Sequence, residues 1–247
     1  MASGLSDTCL PVLETLALTI SVAHDFQYFV GPEIQALLSR LRHLRLSSTG
    51  SFERYLGPEY LFISQRDTYA DVSRLVQGAG ELRSLSVNAG QSEFFLRIIA
   101  FPPAESLSRL SLEHVHILGP SVNDLIQRSQ RRLAVVHFKT CQLIAEEPES
   151  WRDIFDSLAE CGNLLDLRFE KGSYFVEDGA VPDLDDEEDW DLVLPRDELS
   201  DSDIDALGEL WGLVDKRRCD LGLDPLPGSD FLADLMTDVD GESAVAG

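Results

Sequence analysis

Apolar residues recur along this chain in one short arrangement, at positions one, four and six of a six-residue stretch. The copies are Leu13-Leu16-Leu18, Leu41-Leu44-Leu46, Leu82-Leu85-Val87, Leu107-Leu110-Leu112, Leu133-Val136-Phe138 and Leu164-Leu167-Phe169. Their leading residues lie 28, 41, 25, 26 and 31 apart. Alternation between positions four and six is strand-like, and the three-residue step before it fits a turn entering a short strand. Between the copies the apolar spacing becomes helical. Gly31-Pro32 opens Glu33–Arg40, and Tyr69–Gln77 stops at Gly78 and Gly80. Gly119-Pro120 opens Ser121–Arg128, and Glu149–Glu160 carries Trp151, Ile154, Phe155 and Leu158 before ending at Cys161-Gly162. Proline at a helix start and glycine past its end follow the usual asymmetry. Each of these apolar stripes is expected in a core.

A recurring unit of this size buries its apolar face only by stacking on the next. In the fifth copy, Cys141 and Leu143 follow Leu133 by eight and ten residues, and the fourth offers Val115 and Ile117 at the same offsets. This matches LxxLxLxxN/CxL, the leucine-rich repeat consensus, in which Asn or Cys bonds neighbouring backbone inside the turn. The expected fold class is therefore α/β, a leucine-rich-repeat-like solenoid of about six degenerate strand–helix repeats over residues 1–176. An acidic disordered linker is expected over 177–198, a capping helix over 199–222 and an acidic disordered tail over 223–247.

Charge separates these parts. The formal net charge of the 247-residue chain is −24, yet residues 177–247 hold 23 acids and four bases, a net of −19 that leaves −5 for residues 1–176. The block DLDDEEDWD at 183–191 is expected to stay solvated. Order returns at Leu199, where Ser200 is a good N-cap with Asp203 at the third helical position, and Leu199 can staple to Ile204. Ile204, Leu207, Leu210, Trp211 and Val214 then form one apolar stripe before Gly222. Such acidity repels phosphate backbones, so no nucleic-acid partner is expected. Neither a basic amphipathic stretch nor ~18 consecutive apolar residues suggests a membrane partner. Cys9, Cys141, Cys161 and Cys219 form no CxxC and read as buried free thiols of a cytoplasmic or nuclear protein.

Small polar residues between the inward leucines should line the open strand face of such an array. The candidate binding residues are His43, Arg45, Ser84, Ser86, Asn88, Arg109, Ser111, Glu113, His137, Lys139, Asp166, Arg168 and Glu170. Thr15, Ala17, Thr19, Ser47 and Val135 complete the rows. This face is neutral to mildly basic within an acidic chain and suits a polar or acidic segment of a partner. The 41-residue step adds an excursion at Ser51–Asp67 with Phe52, Tyr55, Tyr60, Leu61 and Phe62, which reads as a cover over a core edge or as an aromatic recognition loop. Catalysis has no signature here: GxSxG, GxxxxGKS/T, GxGxxG and HExxH are all missing. His114 and His116 flank the inward Val115, and Asp201, Asp203 and Asp205 are followed by Ala206 and Gly212 where a calcium loop needs Gly and Glu. No metal, cofactor or catalytic residue is expected.

The stretches SLSRLSLEHVHILGPSVNDLIQRSQRRLAVVHFKTCQLI at 106–144 and ESWRDIFDSLAECGNLLDLRFE at 149–170 resemble the leucine-rich repeat region of fungal F-box-type proteins. The resemblance covers about residues 10–176. It implies a non-catalytic scaffold whose repeats hold a protein for a cullin-type ubiquitin ligase. The first copy starts at Leu13, so the F-box itself is not expected within this chain, and ligase components become partners only if one lies upstream. Two other readings stand beside it. The acidic tail could mimic a polyanion for a basic protein, or the chain could be an enzyme without a recognisable motif.

Overall fold

The computed structural model describes residues 13–20, 31, 34, 37–48, 76–89, 96–98, 105–144, 150–175 and 199–227. The aromatic excursion at 51–67, the acidic block at 183–191 and Cys9 lie outside these residues. Ten strands are described: β1 Thr15–Ile20, β2 His43–Ser48, β3 Ser84–Asn88, β4 Leu96–Ile98, β5 Arg109–Glu113, β6 Val115–Leu118, β7 Val135–Lys139, β8 Gln142–Ile144, β9 Asp166–Glu170 and β10 Ser173–Phe175. They form an α/β protein with two sheets. One is six-stranded in the order β1-β2-β3-β5-β7-β9, and the other is four-stranded in the order β10-β8-β6-β4. All the pairings are parallel. In the larger sheet, order in space follows order in the chain, so each strand pairs with its sequence neighbours in that sheet.

Register follows the leucine pattern. Leu16, Leu44, Leu85, Leu110, Val136 and Leu167 stand side by side across the six strands. From Leu44 to Leu167 these residues are at most 2% exposed, and Leu16 packs against the same core. A one-residue slip in any strand would turn this row to solvent. The turns before the strands repeat one hydrogen-bond device. The carbonyl of Glu14 accepts from Arg42 N and His43 N, that of Arg42 from Arg83 N and Ser84 N, and that of Arg83 from Ser108 N and Arg109 N. Ser108 and Ala134 carbonyls continue the series with Ala134 N, Val135 N, Leu165 N and Asp166 N. The strand exits repeat as well. His114, Thr140 and Lys171 have φ of 54°, 50° and 55°, each seven residues past a leading leucine. The left-handed conformation there turns the chain from the large sheet into the small one. Cys141 follows Thr140, and its thiol donates to the Leu112 carbonyl at 3.3 Å. Burial pushes that thiol up to about 12.

Helices cover the other side. Helix α1, Gly119–Ser129, has Pro120 in its first turn and buries Val122, Leu125 and Ile126. Helix α2, Trp151–Ala159, starts after Ser150, whose N–H and hydroxyl both donate to Asp153 Oδ2. Its face buries Trp151, Ile154, Phe155 and Leu158. The Trp151 ring lies 5.7 Å from Phe138, 5.8 Å from Phe155 and 5.0 Å from Phe169. Helical backbone is also present at 37–38 and 76–78.

Helix α3, Asp201–Asp220, packs on α2 and β9 with Ala206, Leu207, Leu210, Trp211 and Val214 buried, while Ile204 is half-buried. Ser200 Oγ accepts from Asp203 N, and Gly222, at φ 72°, ends the helix. Two side chains near its C-terminus reach other elements. Arg217 donates to the Cys161 and Ala159 carbonyls at 2.8 Å each, filling acceptors at the end of α2. Arg218 Nη1 donates to the Leu165 carbonyl at 2.7 Å. Leu165 holds the position that in five earlier turns accepts two amides of the following strand. Residues 223–227, at the start of the expected disordered tail, are held: Leu226 N donates to Asp215 Oδ1 at 2.7 Å, and Leu226 is 2% exposed. Among the described residues, no helix is long and apolar enough to cross a membrane.

Candidate functional site

Strand alternation decides which side chains of the large sheet face away from the core. Because the six strands are in register, those side chains form three aligned rows. The first is Thr15, His43, Ser84, Arg109, Val135 and Asp166; the second is Ala17, Arg45, Ser86, Ser111, His137 and Arg168. The third is Thr19, Ser47, Asn88, Glu113, Lys139 and Glu170. All thirteen candidate residues named from the sequence therefore share one open face. The whole first row, and Arg45, Ser86, Ser111 and His137 of the second, line a groove of about 400 Å³ that runs from Thr15 to Asp166. Thr15 and Val135 belong to this lining although their types alone do not suggest binding.

The charges on this face are unevenly engaged. At the β7–β9 end, Asp166 lies 3.2 Å from His137 Nε2 and 3.6 Å from Arg168 Nε. In the third row Glu113 takes Asn88 Nδ2 at 2.6 Å and lies 3.4 Å from Lys139 Nζ, which is also 3.9 Å from Glu170. His114 Nε2 approaches Glu113 at 3.8 Å. Thr19 and Ser47 hydroxyls meet at 2.9 Å. Partly exposed pairs of this kind stabilise by only about 0–1 kcal/mol, yet they occupy all three carboxylates of the face. Arg45 and Arg109 are exposed, and neither pairs with a carboxylate among the described residues. Four cationic side chains stand against three carboxylates, and the surplus sits over β2 and β5.

Chemically, the face offers guanidinium and hydroxyl donors. None of the Ser84, Ser86 and Ser111 hydroxyls is hydrogen-bonded to His43 or His137 among the described residues. His114 occupies a left-handed turn, and the neighbouring Val115 is buried. Cys141 and Cys161 are buried free thiols, and burial raises Cys161 to about 11 despite the nearby Arg217. Cys219 departs from the expectation of buried thiols: it is exposed, because position 219 falls on the solvent side of α3.

One cluster joins the expected cap pair Ser200 and Asp203 to two groups that the residue pattern did not connect with them, Arg152 N and Tyr174 OH. Asp203 is fully buried. Its Oδ1 accepts from Arg152 N at 2.9 Å, and its Oδ2 accepts from Tyr174 OH at 2.6 Å, Ser200 N at 2.9 Å and Ser200 Oγ at 2.6 Å. Tyr174 OH in turn accepts from Trp151 N at 3.0 Å. A single carboxylate thus serves the N-termini of α2 and α3, where aligned peptide dipoles favour negative charge. Burial, and then the hydrogen bond to Asp203, push the Tyr174 phenol well above its ordinary range.

No protein-family model, no curated protein and no solved structure matches the chain. Fold and site define an α/β protein with a six-stranded parallel sheet whose open face is polar and grooved.

Proposed function

We propose that this chain is a non-catalytic protein-interaction scaffold, a leucine-rich-repeat-like solenoid whose open sheet face receives a polar or acidic segment of a protein partner. The observation that carries the reading is the face itself: three in-register rows of mostly polar side chains, with a groove of about 400 Å³ along the first two and cations in surplus. The recurring turn bonds support stacked equivalent units, since each unit's carbonyl is satisfied by the next. The resemblance of residues 106–144 and 149–170 to fungal F-box-type repeats supports a receptor role in ubiquitin ligation, in the cytoplasm or nucleus.

The test is affinity capture on the immobilised full-length chain, with bound proteins identified by mass spectrometry. Three baits are compared: the native chain, Arg45→Glu/Arg109→Glu/Arg168→Glu, and a deletion of residues 177–198. The triple variant should lose the native partners and the deletion should keep them. The reverse result would sink the sheet-face reading and favour the acidic segment as a polyanion mimic, a possibility motivated by its concentrated charge. Cullin-ligase subunits in the captured set would mark the receptor role.

A further inference from the structure

We propose that the sheet face holds a specific seat for one oxyanion of the partner segment, a carboxylate or a phosphoryl group, clamped between Arg45 and Arg109. This rests on the interaction-scaffold reading and narrows it to three strands. Over β2, β3 and β5 the first row reads His43, Ser84, Arg109 and the second reads Arg45, Ser86, Ser111. The two arginines stand at diagonal corners of this block. Strands two apart are separated by about 9.5 Å, and residues two apart along a strand by about 6.7 Å. Serines occupy the ground between, where larger side chains would fill the hollow. The groove is open along these residues, and each of the six lines it.

Charge complementarity selects the occupant. Arg168 and Lys139 are drawn to Asp166, Glu113 and Glu170, so the partner would have to displace a neighbour to use them. Arg45 and Arg109 face no such competition among the described residues. A guanidinium presents a planar fork that matches carboxylate and phosphoryl oxygens, and serine hydroxyls add neutral donors between the two forks. The chain's overall acidity does not forbid this contact. At physiological salt, charges beyond about 8 Å are largely screened, while the two guanidinia touch the anion directly. Long polyanions stay disfavoured, and a short acidic or phosphorylated segment is accepted.

The experiment is fluorescence anisotropy of the full-length chain with three fluorescein-labelled probes. They are hexaglutamate, hexaglutamine, and a Gly/Ser peptide carrying one phosphoserine. At least one anionic probe should bind and hexaglutamine should not, with the tighter of the two anions naming the group that is seated. Arg45→Gln and Arg109→Gln should each weaken binding about ten-fold, and Arg168→Gln less than two-fold. Both key side chains are exposed, so unchanged melting temperatures should certify the folded variants. Equal losses for Arg45→Gln, Arg109→Gln and Arg168→Gln would overturn the seat while leaving a diffuse cationic face. Anionic binding that survives both key substitutions, or no anionic binding at all, also overturns it. The capture experiment reads the broader interface independently of these probes.

Discussion

Replacing Asp203 by alanine should loosen helix α3 from the body of the protein. The carboxylate is fully buried and accepts four hydrogen bonds, from Arg152 N, Tyr174 OH, Ser200 N and Ser200 Oγ. Ser200 is exposed, so water can replace the two bonds it makes. Arg152 N and Tyr174 OH sit in part-buried positions, and losing a charged acceptor there costs about 1.5–3 kcal/mol each. Relief of carboxylate desolvation offsets part of the sum. The expected net loss is about 3 kcal/mol, which for a chain of this size lowers Tm by roughly 6–12 °C. Thermal unfolding followed by circular dichroism at pH 7 measures it. Tyr174→Phe removes one of the same bonds and should lower stability by about 1–2 kcal/mol. Because both substitutions break a shared bond, the double variant should lose less than the sum of the single losses, with coupling above about 0.5 kcal/mol. A Tm within about 2 °C of the native chain, or strict additivity with Tyr174→Phe, would refute the shared-carboxylate account.

Gly172→Ala tests packing without any change of charge. A Cβ at 172 would overlap the Phe169 ring, which packs edge-on against Trp151 at 5.0 Å and Phe155 at 5.2 Å. Displacing the ring should destabilise by about 1–3 kcal/mol, with a reduced near-ultraviolet aromatic signal; an unchanged melt would disprove the close approach. Alkaline pH tests Cys141 and Tyr174, both held above their ordinary values by burial. The fold binds these protons more tightly than the unfolded chain does, so their contribution is full below the unfolded values, about 8.5 for Cys and 10 for Tyr. It is lost as pH rises, for Cys141 up to about 12. The urea midpoint should fall from pH 8 to pH 11, and less steeply in Cys141→Ala; a midpoint flat across that range would contradict the burial argument.

Much of the architecture was readable because one face of each large-sheet strand is buried and side chains alternate with period two. Leu44, Leu85, Leu110, Val136 and Leu167 mark that face directly, and the polar rows follow as its complement. The start of α3 was readable for a local reason too, since Ser200 and Asp203 bond within three residues of each other. The small four-stranded sheet was less visible. Its strands are three or four residues long, Val115, Ile117 and Leu143 hint at it, and Tyr174 stands where Leu143 stands one unit earlier. A tyrosine there reads as a poor repeat residue until its hydroxyl is seen between Trp151 N and Asp203.

By itself, the order of residues determined the register of the strands, the inward leucines, the outward polar rows and the concentration of acid beyond residue 177. These are properties of neighbours along the chain, and period and composition record them. Tertiary structure alone decided which charges meet. Arg217 and Arg218 could have been ordinary helix-terminal cations, yet they reach carbonyls 53 to 58 residues away in the chain. Asp166, Glu113 and Glu170 engage the cations beside them on the sheet and leave Arg45 and Arg109 without a carboxylate among the described residues. The physical reason is distance. Attraction between charges and hydrogen-bond geometry act over a few ångströms in space, and only the packed strands set those separations.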